Sequence, residues 1–278
     1  SEYSDVERIF NFVRSNSKAK LIFGGARTPW FIKDENIDYY VLGYADNSVV
    51  ELTNYIAGKT KNTNLIEYLS KPQTTLYDRV IDSKYFPEPD VKNIPTRWWN
   101  YPILPNEALP IELGRGCIFK CKFCSYPMNG KQNLDFIKTD RALKYELERN
   151  YHEFGVYKYQ IIDDTFNDND PKLDRILKIV EQLDFQPEFW AYLRLDLLSR
   201  NPQTRFKKLY DIGMRSASFG IETMNPPTAK IIGKGYDRER QIETLQYIWS
   251  EYKDRFFMSS GFIIGLPEES IEQVRSEE

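Results

Sequence analysis

From residue 111 onward, short apolar runs alternate regularly with amphipathic helices. The helices have recognisable ends: one apolar stripe stops at Gly155, and others begin at Asp170-Pro171 and Asn201-Pro202. The predicted strands between them are Ile111–Leu113, Lys158–Ile162, Glu188–Leu193, Ser216–Ile221 and Met258–Ile264. Strand–helix units in succession favour parallel strands with right-handed crossovers. The pattern therefore predicts an α/β fold with a TIM-like barrel, which is partial because eight units need about 250 residues.

A shorter alternation precedes this region. Apolar residues at helical spacing are followed by the run Ala19–Phe23, which reaches the paired glycines Gly24-Gly25, and by a second run, Tyr39–Gly43. The order helix, strand, strand, helix is about half of a doubly wound sheet. We therefore predict that residues 1–84 are the C-terminal part of a Rossmann-like domain. Because the chain starts at Ser1 and stops at Glu278 early in a helical pattern, we expect both ends to be cuts within a longer protein.

Residues 85–110 separate the two regions and are rich in proline, with Trp98 and Trp99 among them. Proline removes backbone donors and interrupts regular structure. We predict a linker that packs on a neighbouring domain through its tryptophans, and a barrel domain over residues 111–278.

Composition excludes several classes of protein. Hydrophobic residues make up 41% of the chain, which is ample for a core, and the net charge of −3 gives no signal for nucleic-acid binding. The longest apolar runs are too short to span a bilayer. The three cysteines are an odd, clustered set, which argues against a disulfide framework and for a reducing, cytoplasmic setting.

Those cysteines, Cys117, Cys121 and Cys124, have the spacing C-x3-C-x2-C. Three thiolates on one short loop can hold three irons of a cubic iron–sulfur cluster, leaving the fourth iron open to another ligand. The alternative is a non-catalytic module with a structural zinc that uses His152 as fourth ligand. His152, the only histidine, lies far along a predicted helix and lacks zinc-finger spacing.

Polar residues follow the apolar strands where parallel barrels place their chemistry, and three of these segments have the spacing of known motifs. The cysteine loop has an aromatic residue, Phe123, directly before its last cysteine. The fifth strand carries Gly261-x-Ile263-x-Gly265-x-x-Glu268, and the fourth ends in Gly220-Ile221-Glu222-Thr223. Together these segments resemble the motifs of the radical S-adenosylmethionine (radical SAM) superfamily, in that family's order.

The resemblance implies an enzyme with two cofactors, a [4Fe-4S] cluster and S-adenosylmethionine. The reduced cluster would cleave S-adenosylmethionine to a 5′-deoxyadenosyl radical that modifies an unknown substrate, with an electron donor such as flavodoxin or ferredoxin. By the match, Cys117, Cys121 and Cys124 are the cluster ligands, Phe123 and Ile263 flank the adenine, Glu222 binds the ribose or amino group, Arg194 pairs with the methionyl carboxylate, Asp164 serves cofactor or substrate, and Glu268 completes the motif bordering the adenine.

The first 84 residues resemble the latter half of the cobalamin-binding-like domain that precedes many radical SAM barrels. The segments that carry the resemblance are Leu21–Ala26 and Asp38–Asp46. The family's histidine motif for the lower face of the cobalt has no counterpart, because His152 lies in the barrel region. Two alternatives stay open, a cobalamin site and a Rossmann-like half that only packs. Methyl or methylthio transfer is one expectation; the sequence leaves transferase, lyase and oxidoreductase undistinguished.

Overall fold

The computed structural model describes residues 2–24, 36–43, 45–71, 76–82, 92–93, 95–96, 102–104, 106–124, 138–235 and 237–275, excluding the side chains of residues 2–6, 76 and 77. The chain divides into two compact units. The described residues up to 82 belong to the first, and the described residues from 92 onward belong to the second.

The first unit contains a parallel sheet of three short strands. In chain order its described elements are α1 (Glu2–Asn16), β1 (Ile22–Gly24), β2 (Tyr39–Leu42), α2 (Asp46–Ile56), α3 (Thr63–Ser70), a 3₁₀ helix (Leu76–Arg79) and β3 (Val80–Asp82). The strand order is β1-β2-β3, and both pairs are parallel. This agrees with the predicted Rossmann-like half. The unit also contains α3 and β3, which were not predicted from the sequence. Strand β3 has only three residues, too few for a clear alternation.

The sheet of the first unit is covered on both faces. Successive residues of β2 point to opposite sides. Val41 packs with Leu52 of α2 and Leu65 of α3, whereas Tyr40 packs with Phe10 of α1. Helices on both faces of a parallel sheet are the layers expected of a doubly wound fold.

The second unit is built on five parallel strands hydrogen-bonded in chain order, β4 to β8. Its elements are β4 (Leu109–Ile111), α4 (Asp140–Phe154), β5 (Lys158–Ile161), α5 (Asp170–Val180), β6 (Glu188–Leu193), α6 (Leu195–Leu198), α7 (Pro202–Ile212), β7 (Met214–Glu222), α8 (Pro226–Ile232), α9 (Arg238–Tyr252), β8 (Phe257–Phe262) and α10 (Ile271–Arg275). The predicted α/β class with a partial parallel barrel is confirmed.

Local sequence explains where the helices of this unit begin and end. The Thr139 hydroxyl accepts a hydrogen bond from the Ala142 amide at the start of α4, and the αL residue Gly155 ends that helix. Asn225 caps α8 in the same way, and Gly233, with φ of 77°, ends it. These caps fix the lengths of the crossovers and therefore the points at which the strand ends emerge.

Four of the five predicted strands differ from the observed ones in their bounds, and the second predicted strand ends at Ile161 rather than Ile162. The first strand is Leu109–Ile111 rather than Ile111–Leu113, and the fourth extends over Met214–Glu222. The fifth stops at Phe262, so Ile263 and Ile264 lie beyond it. Leu113 leaves the strand ladder because its amide donates to a side chain, the Asp163 carboxylate, at 2.8 Å.

The core of the second unit lies between the central strands and their helices. Phe219 of β7, Phe206 of α7 and Leu147 of α4 are fully buried within it. Strand β8 is different, since five of its six residues are exposed and Phe257 keeps 70% of its surface accessible.

The predicted domain bounds remain predictions. The division between compact units falls after residue 89, inside the stretch predicted as linker, and Trp98 and Trp99 lie outside the described residues. Of that stretch, Thr96 is held against α4 by the Glu146 carboxylate, which accepts its amide at 3.0 Å. In the portion of the chain that the structure describes, no helix has the length and apolar character needed to cross a membrane.

Candidate functional site

The three cysteines lie on the loop that leaves β4. Cys117 and Cys121 are half-buried, Cys124 is exposed, and no disulfide joins them. The Cys124 amide donates to the Cys121 carbonyl at 3.0 Å, which closes a tight turn around Phe123. The loop therefore presents its thiols from one compact stretch of backbone.

The first half of the loop is held by Asp163, which follows β5. Its Oδ1 accepts the backbone amides of Leu113 at 2.8 Å and Gly114 at 2.9 Å. Its Oδ2 lies 3.3 Å from the Lys172 ammonium on α5. Burial raises the pKa of the Asp163 carboxyl, while Lys172 and the two amides act in the opposite direction.

The next two residues extend this contact toward the first cysteine. Oδ2 of Asp164 accepts the Gly116 amide at 3.2 Å, and the Thr165 hydroxyl lies 3.4 Å from the Cys117 sulfur. Asp164, predicted to serve cofactor or substrate, is thus placed beside the cysteine loop.

The second half of the loop rests on the end of α8. The Lys122 amide donates to the Ile232 carbonyl at 2.8 Å, and the Cys121 thiol lies 3.8 Å from the Gly233 carbonyl oxygen. A Cβ at Gly233 would lie 3.5 Å from the Lys120 carbonyl and 3.9 Å from the Cys121 Cα. Glycine therefore suits the left-handed turn, while an added Cβ would make only ordinary van der Waals contact with the loop.

The guanidinium of Arg194, at the end of β6, contacts both the cysteine loop and Asp196. Nε and Nη2 donate to the two Asp196 carboxylate oxygens at 3.0 and 2.8 Å, and Nη1 donates to the Cys121 sulfur at 3.4 Å. Its Cζ lies 3.8 Å from the centre of the Phe119 ring. Burial opposes the charge, but Asp196 and Cys121 outweigh it and raise the pKa of Arg194.

All three guanidinium nitrogens are thus already hydrogen-bonded. A methionyl carboxylate would have to share them, so the predicted pairing of Arg194 with that group stays a prediction.

Glu222 ends β7 in a left-handed conformation, with φ of 70°. Its carboxylate lies 3.5 Å from the ammonium of Lys234, which also donates to the Gly220 carbonyl at 2.5 Å. Burial, and next the nearby Arg194, lower the pKa of Lys234. Left-handed non-glycine residues are costly and gather at functional sites.

Glu268, the last residue of the predicted fifth-strand motif, is also left-handed, with φ of 62°. Its side chain is exposed, and Ile263 is half-buried. The Ile263 amide donates to the Glu222 carbonyl at 2.9 Å, so the predicted adenine-side and ribose-side residues are joined through the backbone.

The turn before Glu268 is fixed to α8 by the Thr228 hydroxyl, which donates to the Pro267 carbonyl at 3.0 Å. The neighbouring Glu269 accepts the Thr223 hydroxyl on Oε1 at 2.5 Å, whereas its Oε2 is buried without a hydrogen-bond partner. An orphaned acceptor at this position suits a site that receives a polar ligand.

Three cysteine thiolates are the donor set that holds iron–sulfur clusters in proteins, so the chemistry of the loop fits such a group. Among the residues that the structure describes, no three His, Cys, Asp or Glu side chains are grouped closely enough to hold a metal ion. His152 lies on α4, 3.3 Å from Asp184, and belongs to neither half of the cysteine loop.

Contacts connect most of the predicted site residues. The Cys117 sulfur contacts the hydroxyl of Thr165, the residue after Asp164. The Cys121 sulfur accepts a hydrogen bond from Arg194, and the Glu222 carbonyl accepts one from the Ile263 amide. Phe123 stands on the loop itself with 39% of its surface exposed. Glu268 is the most peripheral of the set.

Sequence reasoning gave no role to Lys172, Gly233 or Lys234. Lys234 had a usable signal, since it is flanked by Gly233 and Gly235 directly after an apolar helix end. A Cβ at Gly235 would lie 2.3 Å from an Asp196 oxygen, so a larger residue there would displace that carboxylate. Lys172 had no such signal, because its position on α5 reads as an ordinary surface lysine.

A parallel sheet with a three-cysteine loop at its carboxyl edge defines a class of iron–sulfur proteins, and comparison with known families specifies it. The family model of the radical SAM superfamily matches residues 111–276, which is more than half of the chain. The chain therefore belongs to the radical SAM superfamily, and the resemblance carried by the three motifs is confirmed. The family implies a [4Fe-4S] cluster and S-adenosylmethionine as cofactors.

Two relatives of known sequence are named as methyltransferases. An uncharacterized methyltransferase of Pyrococcus horikoshii is 26% identical over 162 residues, 58% of this chain and 34% of its own length. The bacteriochlorophyllide d C-8(2)-methyltransferase of Chlorobaculum tepidum is 27% identical over 138 residues, 47% of this chain and 29% of its own length. The chain thus spans about a third of either relative.

Two solved structures share the fold over nearly all of this chain. The radical S-adenosylmethionine methyltransferase TsrM from Kitasatospora setae, with tryptophan substrate and a SAM analogue bound, has a TM-score of 0.70 at 17% identity, covering 98% of this chain and 55% of that one. The cobalamin-dependent radical enzyme OxsB, with aqua-cobalamin bound, has a TM-score of 0.68 at 15% identity, covering 99% and 41%. Both confirm the fold.

Proposed function

We propose that this protein is a radical SAM enzyme whose cluster is held by Cys117, Cys121 and Cys124. The observation that carries the proposal is the loop itself, fixed from β5, β6 and α8 with the Arg194 guanidinium donating to a cysteine sulfur. When bound, a [4Fe-4S] cluster held there would supply the electron for reductive cleavage of S-adenosylmethionine. The protein's own residues would hold the cysteine loop and bind the cofactor.

For the cofactor, we assign Glu222, Ile263 and Glu268 to the adenosyl part, together with Phe123. The hydrogen bond from the Ile263 amide to the Glu222 carbonyl supports this, since it fixes the two strand ends that would flank one ligand. Asp164 stands next to the first cysteine and suits the amino group of the methionyl part.

We further propose methyl transfer as the reaction class. The names of the two relatives and of TsrM support it. Cobalamin binding by residues 1–84 is supported by the fold shared with OxsB, a cobalamin-dependent enzyme, across 99% of this chain. Gly25 and Ala26, part of the proposed cobalamin-side segment, lie outside the described residues.

The electron would come from a flavodoxin or ferredoxin in the cytoplasm, because a thiolate-bound cluster needs a reducing compartment. The substrate that receives the radical or the methyl group is not encoded by the cysteine loop.

The test is anaerobic reconstitution of the protein with iron and sulfide, followed by dithionite and S-adenosylmethionine. We expect a brown protein that releases 5′-deoxyadenosine, or S-adenosylhomocysteine if cobalamin is loaded and methylated. A variant with all three cysteines changed to alanine should release neither. A colourless wild-type protein holding one zinc would contradict the proposal and support the structural-zinc alternative.

A further inference from the structure

Lys172 is a buried lysine that neither the proposed cluster ligands nor the proposed cofactor residues include. Only 6% of its side chain is exposed. Its ammonium donates to Asp168 Oδ1 at 3.0 Å, to Asp163 Oδ2 at 3.3 Å and to the Thr165 carbonyl at 3.4 Å. All three acceptors belong to the segment between β5 and α5, so one cation organises that segment.

That segment is also the one that holds the start of the cysteine loop. The two oxygens of Asp163 have divided tasks: Oδ2 faces Lys172, and Oδ1 accepts the amides of Leu113 and Gly114. The Lys172 ammonium is therefore two contacts away from the backbone that leads into Cys117.

Removing the lysine would leave a carboxylate that is almost fully buried without its cation. Such a group is strongly unfavourable, so it becomes protonated or turns toward water. Either change weakens acceptance of the Leu113 and Gly114 amides. Thr165, whose carbonyl Lys172 also holds, would lose a restraint on its hydroxyl beside the Cys117 sulfur.

We propose that Lys172 is a positioning residue that, through Asp163, holds the cysteine loop ready for the cluster before any iron is bound. This inference rests on the proposed function, because it assigns the loop its purpose. It concerns residues of this chain alone, so it can be tested in the iron-free protein. Residues that orient metal ligands typically change metal affinity by about 10–100-fold when they are altered.

The test uses Lys172→Met and a matched control, Lys138→Met. Lys138 is equally buried, at 4% exposed, and pairs with the buried Glu146 of the same unit. Its ammonium also donates to the Thr96 hydroxyl at 3.0 Å, and neither of these two partners belongs to the cysteine loop. Loss of either lysine should cost stability, but only loss of Lys172 should release the loop.

The first measurement is amide hydrogen exchange in the iron-free proteins. We expect residues 113–117 to exchange at least about tenfold faster in Lys172→Met than in wild type, and to stay protected in Lys138→Met. Equal protection of these amides in both variants, or equal loss, would overturn the proposal.

The second measurement is iron bound after reconstitution. We expect about tenfold weaker loading in Lys172→Met than in Lys138→Met. The double variant Lys172→Met with Asp163→Asn removes both charges but keeps an oxygen acceptor, and it should recover protection and loading. Failure of the double variant to recover either, while folded, would overturn the proposal. Wild-type protein that binds no iron would refute the proposed function, whereas the exchange result would still decide the role of Lys172.

Discussion

Arg194 Nη1 donates a hydrogen bond to the Cys121 sulfur at 3.4 Å, and the other two nitrogens of the same guanidinium bind both oxygens of Asp196. The fork is stacked on Phe119, a residue of the cysteine loop itself. A positive donor beside a ligating sulfur stabilises the more negative, reduced state of a cluster. In the proposed cluster site, this contact would couple the end of β6 to the redox state of the cluster.

Arg194→Met should consequently make the cluster harder to reduce. With the donor lost, the midpoint potential is expected to shift to more negative values, and Arg194→Lys should fall between the variant and wild type because it keeps charge but not the fork. A redox titration followed by electron paramagnetic resonance measures this shift. Arg205→Lys, at an arginine that pairs with Asp170 on another helix, is the control. An unchanged potential in Arg194→Met would show that the contact does not tune the cluster.

Gly233→Ala should destabilise the protein without displacing the loop. A left-handed alanine costs about 1–2 kcal/mol, whereas the added methyl, 3.5 Å from the Lys120 carbonyl and 3.9 Å from the Cys121 Cα, would make only ordinary van der Waals contact. Gly155→Ala is the matched control, since Gly155 is also a left-handed helix end but has nothing within 4 Å of the added methyl. Urea unfolding should show similar losses for both variants, and iron loading should stay near the wild-type level in both. Loss of iron in Gly233→Ala alone would show that the loop packs more tightly against the end of α8 than these distances indicate.

We expect the left-handed backbone of Glu222 to cost folding free energy, and its carboxylate to contribute to S-adenosylmethionine binding. Glu222→Gly and Glu222→Ala both remove the carboxylate that faces Lys234, but only alanine keeps a Cβ at φ of 70°. We expect the glycine variant to be more stable than the alanine variant by roughly 1 kcal/mol, and both to bind S-adenosylmethionine more weakly than wild type. Equal stabilities by thermal unfolding would mean that the conformation carries no strain. Wild-type affinity of both variants for S-adenosylmethionine, measured by isothermal titration calorimetry, would show that the Glu222 side chain does not bind the cofactor.

Gly213→Ala should damage the junction of α7 and β7 severely. A Cβ there would lie 2.1 Å from the Pro187 carbonyl oxygen, which is backbone and cannot rotate away, and φ is 113°. We expect a loss of about 3 kcal/mol or more in the free energy of unfolding, clearly larger than for Gly155→Ala. If the free energy of unfolding falls no more than in Gly155→Ala, the Pro187 carbonyl does not pack against Gly213 in the native protein.

The strand–helix alternation predicted the order and parallel arrangement of β4 to β8 because hydrophobic period and helix caps are local signals. The residues at which the strands end were harder to predict from the sequence. Leu113 is apolar and strand-like in sequence, yet its amide leaves the ladder for Asp163, fifty residues further along. A side chain that competes with a ladder partner cannot be recognised from the run alone.

The candidate site divides in the same way. The cysteines were evident from spacing, and Arg194 from its position at a strand end. Lys172 and Lys234 were missed because their importance arises from burial beside Asp163 and Glu222, contacts that only the folded crossovers create. The roles of all the predicted site residues stay predictions that rest on the motif match: Cys117, Cys121, Cys124, Phe123, Asp164, Arg194, Glu222, Ile263 and Glu268.

The metal content of the anaerobically reconstituted protein tests the central claim most directly. Iron, sulfide and zinc are measured per chain in wild type, in each of Cys117→Ala, Cys121→Ala and Cys124→Ala, and in the loop control Lys122→Ala. We predict about four irons and four sulfides per chain in wild type and in the control, with no zinc, and loss of the cluster in every cysteine variant. One zinc per chain in place of iron, or wild-type iron in Cys121→Ala, would contradict the account.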